Sequence, residues 1–134
     1  MPLKSNDTDG AITRKRLENY VTAHEKVTAV ALTDAAATLT AAQLVESKLF
    51  TITPTAARNL TTATAAQIVA QLTDEAVGTS FEFTIVNLAA VTHAVTLVGG
   101  ASVTVTGAAA VSAATSGTFV AVVTGASTVT VYRK

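Results

Sequence analysis

The sequence has no cysteine and no tryptophan, and only two of its 134 residues are proline. Without cysteine there is no disulfide framework, no thiol nucleophile and no thiolate metal site. Charge is scarce as well: 13% of the residues are ionic, nine basic and nine acidic, where roughly a quarter is usual in soluble domains. No Lys or Arg occurs from Asn59 to Tyr132, so this stretch offers no basic stripe to phosphates and no nucleic-acid partner is expected. No apolar run approaches the roughly eighteen residues of a membrane span, and Met1 to Asp7 is polar where a signal peptide would be apolar. The expectation is a protein made and folded in the cytoplasm, with no membrane partner.

What is present is small and apolar. The 49% hydrophobic fraction includes 27 Ala and 18 Val against four Phe and two Tyr, so each buried side chain contributes little area and the core should be thin. The length fits one domain with a modest extension, hiding roughly two thirds of the extended chain's surface on folding.

Composition divides the chain into an arm, residues 1–26, and a body, residues 27–134, itself split at 77/78. The arm holds nine of the eighteen formal charges. Within it Leu17, Tyr20, Val21 and His24 recur at i, i+3, i+4 and i+7, the stripe of a helix from Ile12 to Lys26 that needs a partner to be stable. In the first part of the body, Thr38-Leu39-Thr40-Ala41-Ala42-Gln43-Leu44-Val45 echoes 24 residues later as Thr62-Ala63-Thr64-Ala65-Ala66-Gln67-Ile68-Val69. Each copy carries the Thr-x-x-Gln of a capping box, which predicts short helices over Ala41 to Glu46 and Ala65 to Leu72. Leu49 to Thr53 and Ala57 to Thr62 read as strands. Two copies are too few for a solenoid, so the echo reads as a duplicated strand-entry device.

From Gly78 onward the pattern is period-two strands between glycine-marked turns. Phe81, Phe83 and Ile85 share one face, His93, Val95 and Leu97 another, and Phe119, Ala121 and Val123 a third, with Val129 and Val131 on the last strand. Gly99-Gly100, Gly107 and Gly125 read as hairpin turns. Turn signals every eight to twelve residues predict a mainly β fold, an antiparallel β-sandwich or jelly-roll-like barrel with one or two short helices and an N-terminal helical arm. From Phe83 to Tyr132 there is no Asp, Glu, Lys or Arg. Neutral, β-prone edges of this kind invite pairing unless they are covered, and closed self-assembly covers them.

No catalytic set can be assembled. His24 and His93 have no ligand-spaced neighbours, Gly-x-Ser-x-Gly does not occur, and Asp74, Glu75 and Glu82 are the only acids after Glu46. Ser5 to Ile12 mimics the start of a calcium loop, but its twelfth position is Arg16 where a bidentate acid is required. No metal, cofactor or enzymatic activity is expected. Arg14-Lys15-Arg16 is either a solvated helix face or a small patch for an anionic partner.

The segments Thr53 to Arg58 (Thr-Pro-Thr-Ala-Ala-Arg), Val77 to Asn87, His93 to Leu97, Ser116 to Phe119 and Val129 to Arg133 resemble small tailed-phage head proteins, the capsid decoration or cement proteins. The resemblance runs from about Thr40 to the end. It implies β-sandwich modules that trimerise on the capsid exterior and bridge major capsid subunits, with an N-terminal arm commonly making the contact. Carried onto this chain, the capsid-contact candidates are Arg14, Lys15, Arg16, Leu17, Tyr20 and Val21. Candidates for the core or for contacts between protomers are Phe81, Phe83, Ile85, Val95, Leu97, Phe119, Val129 and Val131. The expected partners are the chain itself, as a homotrimer, and the phage major capsid protein. The alternative is a fibre or tail-associated module that binds a receptor or glycan.

Overall fold

Alternation of apolar with small polar residues produces strands. In Ser80 to Asn87, for example, Phe81, Phe83, Ile85 and Asn87 are buried while Ser80 and Glu82 face solvent. A computed structural model describes residues 27–72 and 77–134; the predicted arm helix lies outside them. The described residues form a mainly β structure of ten strands and two short helices: β1 (Ala29–Ala31), β2 (Ala37–Thr38), α1 (Gln43–Ser47), β3 (Leu49–Ile52), β4 (Arg58–Thr61), α2 (Ala65–Gln71), β5 (Ser80–Asn87), β6 (Val95–Val98), β7 (Val103–Thr106), β8 (Ala110–Val111), β9 (Ser116–Gly125) and β10 (Thr128–Arg133). One sheet has the order β1-β3-β5-β9-β10-β7 and the other β2-β4-β6-β8.

The chain alternates between the sheets from β1 through β8, and only β9 and β10 follow one another in the same sheet. Pairing is therefore mostly parallel, with five parallel ladders and three antiparallel ones. This corrects the antiparallel expectation. Parallel strands need a long crossover, commonly a helix; here the crossover is a strand of the opposite sheet, which the spacing of turn signals does not distinguish from a hairpin partner. For the same reason Gly99-Gly100 and Gly107 are not hairpin turns: they carry the chain from β6 to β7 and from β7 to β8, across the sheets. Gly125 does belong to a hairpin, as the last residue of β9 where the chain turns into β10.

The 24-residue echo proves to be the corner of a coil. β1, β2 and α1 form one turn, β3, β4 and α2 the next, and β5 and β6 a third, with Leu49 registered on Ala29 and Thr84 on Leu49 in one sheet and Leu60 on Ala37 and Leu97 on Leu60 in the other. Both corners carry the reciprocal capping box. Gln43 N donates to Thr40 Oγ1 at 3.1 Å and Thr40 N to Gln43 Oε1 at 3.0 Å; Gln67 N and Thr64 N do the same at 3.2 and 3.0 Å. Leu44 and Ile68 bury the inner face of each corner. Helix α1 is wound as a π-helix and ends at Lys48, whose φ is +65°.

Both sheets share one buried cluster. Its centre holds all four phenylalanines of the sequence. Phe83 stacks on Phe119 at 5.5 Å, meets Phe50 edge-on at 6.3 Å and lies 6.2 Å from Phe81. Phe83 and Phe119 are direct cross-strand partners on β5 and β9, and such aromatic pairs add about 0.5–1.5 kcal/mol beyond area burial. Phe81, Phe83, Ile85, Val95, Leu97, Phe119, Val129 and Val131 all belong to this cluster. They fill the protomer's own interior and are not available for contacts between protomers.

Polar side chains join the sheets where the chain crosses between them. Asn87, 1% exposed, donates through Nδ2 to His93 O at 2.8 Å and Val111 O at 2.9 Å and accepts from Ala89 N at 3.0 Å. The buried hydroxyl of Thr62 donates to Ala63 O at 2.8 Å and accepts from Gly100 N at 2.9 Å. A Cβ at Gly100 would stand 2.5 Å from Thr62 O and 2.7 Å from Ala63 O, so only glycine permits this approach. His93, expected on a strand beside Val95, lies in the turn ahead of β6, where Asn87 holds its carbonyl.

Two stability measurements follow. Phe83→Ala removes the ring that touches the other three and should cost about 3–5 kcal/mol in urea unfolding. Asn87→Ala strands three backbone groups and should cost about 2–4 kcal/mol. Asn87→Asp should cost more at neutral pH, because a carboxylate then faces two carbonyl oxygens, and the excess should shrink as acid protonates it; equal costs for Ala and Asp at neutral pH would exclude this role for the amide.

Candidate interaction surfaces

Stacking of the first two coil turns sets their loops side by side. This places Asp34, in the loop after β1, against Thr55 and Arg58, in the loop that leads into β4. Asp34 Oδ1 accepts from Arg58 Nε at 2.7 Å and from Thr55 N at 3.1 Å, and Oδ2 accepts from the Thr55 hydroxyl. The side chains are about a third exposed. The Arg58 hydrogen bond, then those of the Thr55 hydroxyl and amide, hold the Asp34 carboxyl well below the usual carboxylate range, and the same contact raises Arg58. At the corners, Gln71 Nε2 donates to Glu46 Oε2 at 2.6 Å and ties α2 to α1. The Thr-Pro-Thr-Ala-Ala-Arg segment contains two members of the Asp34 cluster; the third is its counterpart loop in the preceding coil turn.

Arg133 links the sheets at the other side. Its Nη1 donates to Ala108 O and Ala110 O at 2.9 Å each, beside the short edge strand β8, while its guanidinium lies 5.3 Å over the Phe119 ring. Gly117 leaves the room: a Cβ there would sit 2.9 Å from the guanidinium carbon and 2.9 Å from Val111 Cγ2. In the sequence Arg133 is visible only as the end of the strand segment Val129 to Arg133. Its signal is the isolated position of one guanidinium after fifty uncharged residues.

Glu82 and Lys134 pair at 2.9 Å on the outward face of the six-stranded sheet. Lys48 is also engaged. Every charged side chain of the described residues thus has a partner, and much of the rest of their surface is hydroxyl and aliphatic. Leu88 and Val91 are 54% and 67% exposed in the β5–β6 loop, beside small depressions shared with residues 112–116. A groove of about 430 Å³ runs between Thr38–Ala41 and the Gln67, Ala70, Gln71 side of α2. Among the described residues no three His, Asp or Glu side chains converge on a metal-sized site, and no helix is long and apolar enough to cross a membrane.

Of the residues singled out from sequence, Arg14, Lys15, Arg16, Leu17, Tyr20, Val21 and His24 lie outside the described residues, as do the calcium-loop mimic from Ser5 and the pair Asp74-Glu75. No family model, no curated protein and no solved structure matches the chain.

The Asp34 cluster makes acid stability testable. A carboxyl whose folded pKa lies below its unfolded value of about 3.9 stabilises the fold fully above that pH and loses its contribution as pH falls through the folded pKa. Asp34→Asn should lower Tm at neutral pH, and the gap to wild type should close as pH drops below about 4. A gap independent of pH across that range would show that the ionised form contributes nothing.

Proposed function

We propose that the chain is a virion structural protein that decorates and stabilises the outer surface of a phage capsid as a homotrimer bound to the major capsid protein. The observation that carries this reading is the separation of charge: an arm with nine ionic residues precedes a body in which Phe83 to Tyr132 has none. The few charges of the described body are engaged within the chain. A body with no Lys or Arg from Asn59 to Tyr132 has no basic stripe to direct it to nucleic acid, and its largely hydroxyl and aliphatic surface suits burial against other protein. The strand and turn segments that resemble cement proteins, Thr53 to Arg58 and Val77 to Asn87 among them, point the same way. On this reading the two sheets over one core are a β-sandwich, the arm carries the capsid contact through Arg14, Lys15, Arg16, Leu17, Tyr20 and Val21, and the chain performs no catalytic step.

The mechanism is linkage. A protein that binds only the assembled lattice stabilises it by its binding free energy, and three joined arms multiply modest contacts through effective concentration. Removal of residues 1–26 should leave a folded body that no longer binds mature capsids, read by co-sedimentation with capsids stripped of the protein. Undiminished binding by the truncated chain refutes the arm's role, and failure of the full-length chain to bind refutes decoration itself.

A further inference from the structure

The outward face of the six-stranded sheet is unusual for a solvent-facing surface. Ladder registers align Leu49, Thr84 and Thr118 in one row, and Glu82, Val120, Tyr132 and Thr106 in a second. Val86 and Val122 face the same way. At its centre the hydroxyls of Thr84 and Thr118 lie 3.1 Å apart. Among the described strand residues that point outward here, Glu82 is the one ionic side chain, and Lys134 neutralises it at 2.9 Å. Tyr132 is 44% exposed.

The size of the face fits an interface. Six strands at about 4.8 Å spacing span about 24 Å, and the longer strands run for about 20 Å or more, a flat footprint near 500 Å². That is more than half of the roughly 800 Å² that each partner contributes to a standard interface. Uncharged, partly apolar patches of several hundred Å² mark association sites.

Its chemistry suits convergence with the same face of the other copies around one axis. Threonine hydroxyls both donate and accept, so rows of them complement themselves. The internally closed ion pair brings no uncompensated charge to a symmetric contact, whereas a strongly ionic partner would find no counter-charge and would have to be desolvated. We infer that this face, from Leu49 through Tyr132, is the self-association surface of the protein, turned toward the common axis of the trimer. The inference rests on the trimeric reading above and adds which surface forms it; the four-stranded sheet then faces outward.

Sedimentation of the full-length chain tests it. Wild type should run at three times the 13.6 kDa protomer mass. Tyr132→Glu, and separately Thr104→Glu at another exposed position of the same face, set like charges against each other in the assembly and should each reduce the mass threefold. Thr96→Glu, outward on the four-stranded sheet, should leave it unchanged. Circular dichroism melts identify any variant that fails to fold, and Thr104, already exposed in the described body, is the substitution most tolerant of charge. A wild-type protomer that runs alone overturns the trimer and this inference together. An assembly that survives both face variants, or is dissociated by Thr96→Glu alone, overturns the assigned face and leaves the trimer standing.

Discussion

From β1 through β9 the chain reaches each strand only by passing from the other sheet, and every such passage crosses the rim of a single apolar core. Backbone groups at a crossing leave their ladders and must be bonded locally or lose free energy. The two capping boxes meet this need at the corners, Thr62 and Gly100 where β6 leaves for β7, Asn87 where β5 leaves for β6, and Arg133 at the β8 edge. Without disulfides, these contacts and the phenylalanine cluster hold the two sheets in register. The small side chains elsewhere follow from it, since Ala and Val let closely stacked coil turns approach.

The ionic groups of the described residues are likewise engaged within the chain. Arg58 is committed to Asp34, Lys134 to Glu82 and Arg133 to main-chain carbonyls. Apart from these engaged groups, the surface of the described residues is largely hydroxyl and short aliphatic. Bonding within the described body and the scarcity of uncompensated charge on its surface are thus two aspects of one distribution of charge.

Much of the fold is legible in the sequence. Period-two alternation marks Phe81, Phe83, Ile85, Phe119, Val129 and Val131 as inward, and all are buried. Thr40 with Gln43 and Thr64 with Gln67 announce both corners, because a capping box is a local arrangement of four residues and needs nothing distant. The meaning of the 24-residue echo was not legible, since a corner looks the same whether it opens a hairpin or closes a coil. Of the candidate surfaces, the neutral outward residues could be recognised as a class, but not grouped into one face.

By itself the sequence determined which residues turn inward, where the chain bends and how little charge it carries, because each of these is set by neighbours within a few positions. Only the tertiary structure decided which sheet each strand enters, that most ladders are parallel, and that Asp34 meets Arg58 across 24 positions and Glu82 meets Lys134 across 52. The physical reason is that alternation reports a strand's inner side and nothing about its partner: pairing is chosen by how well the whole set of strands closes over one core.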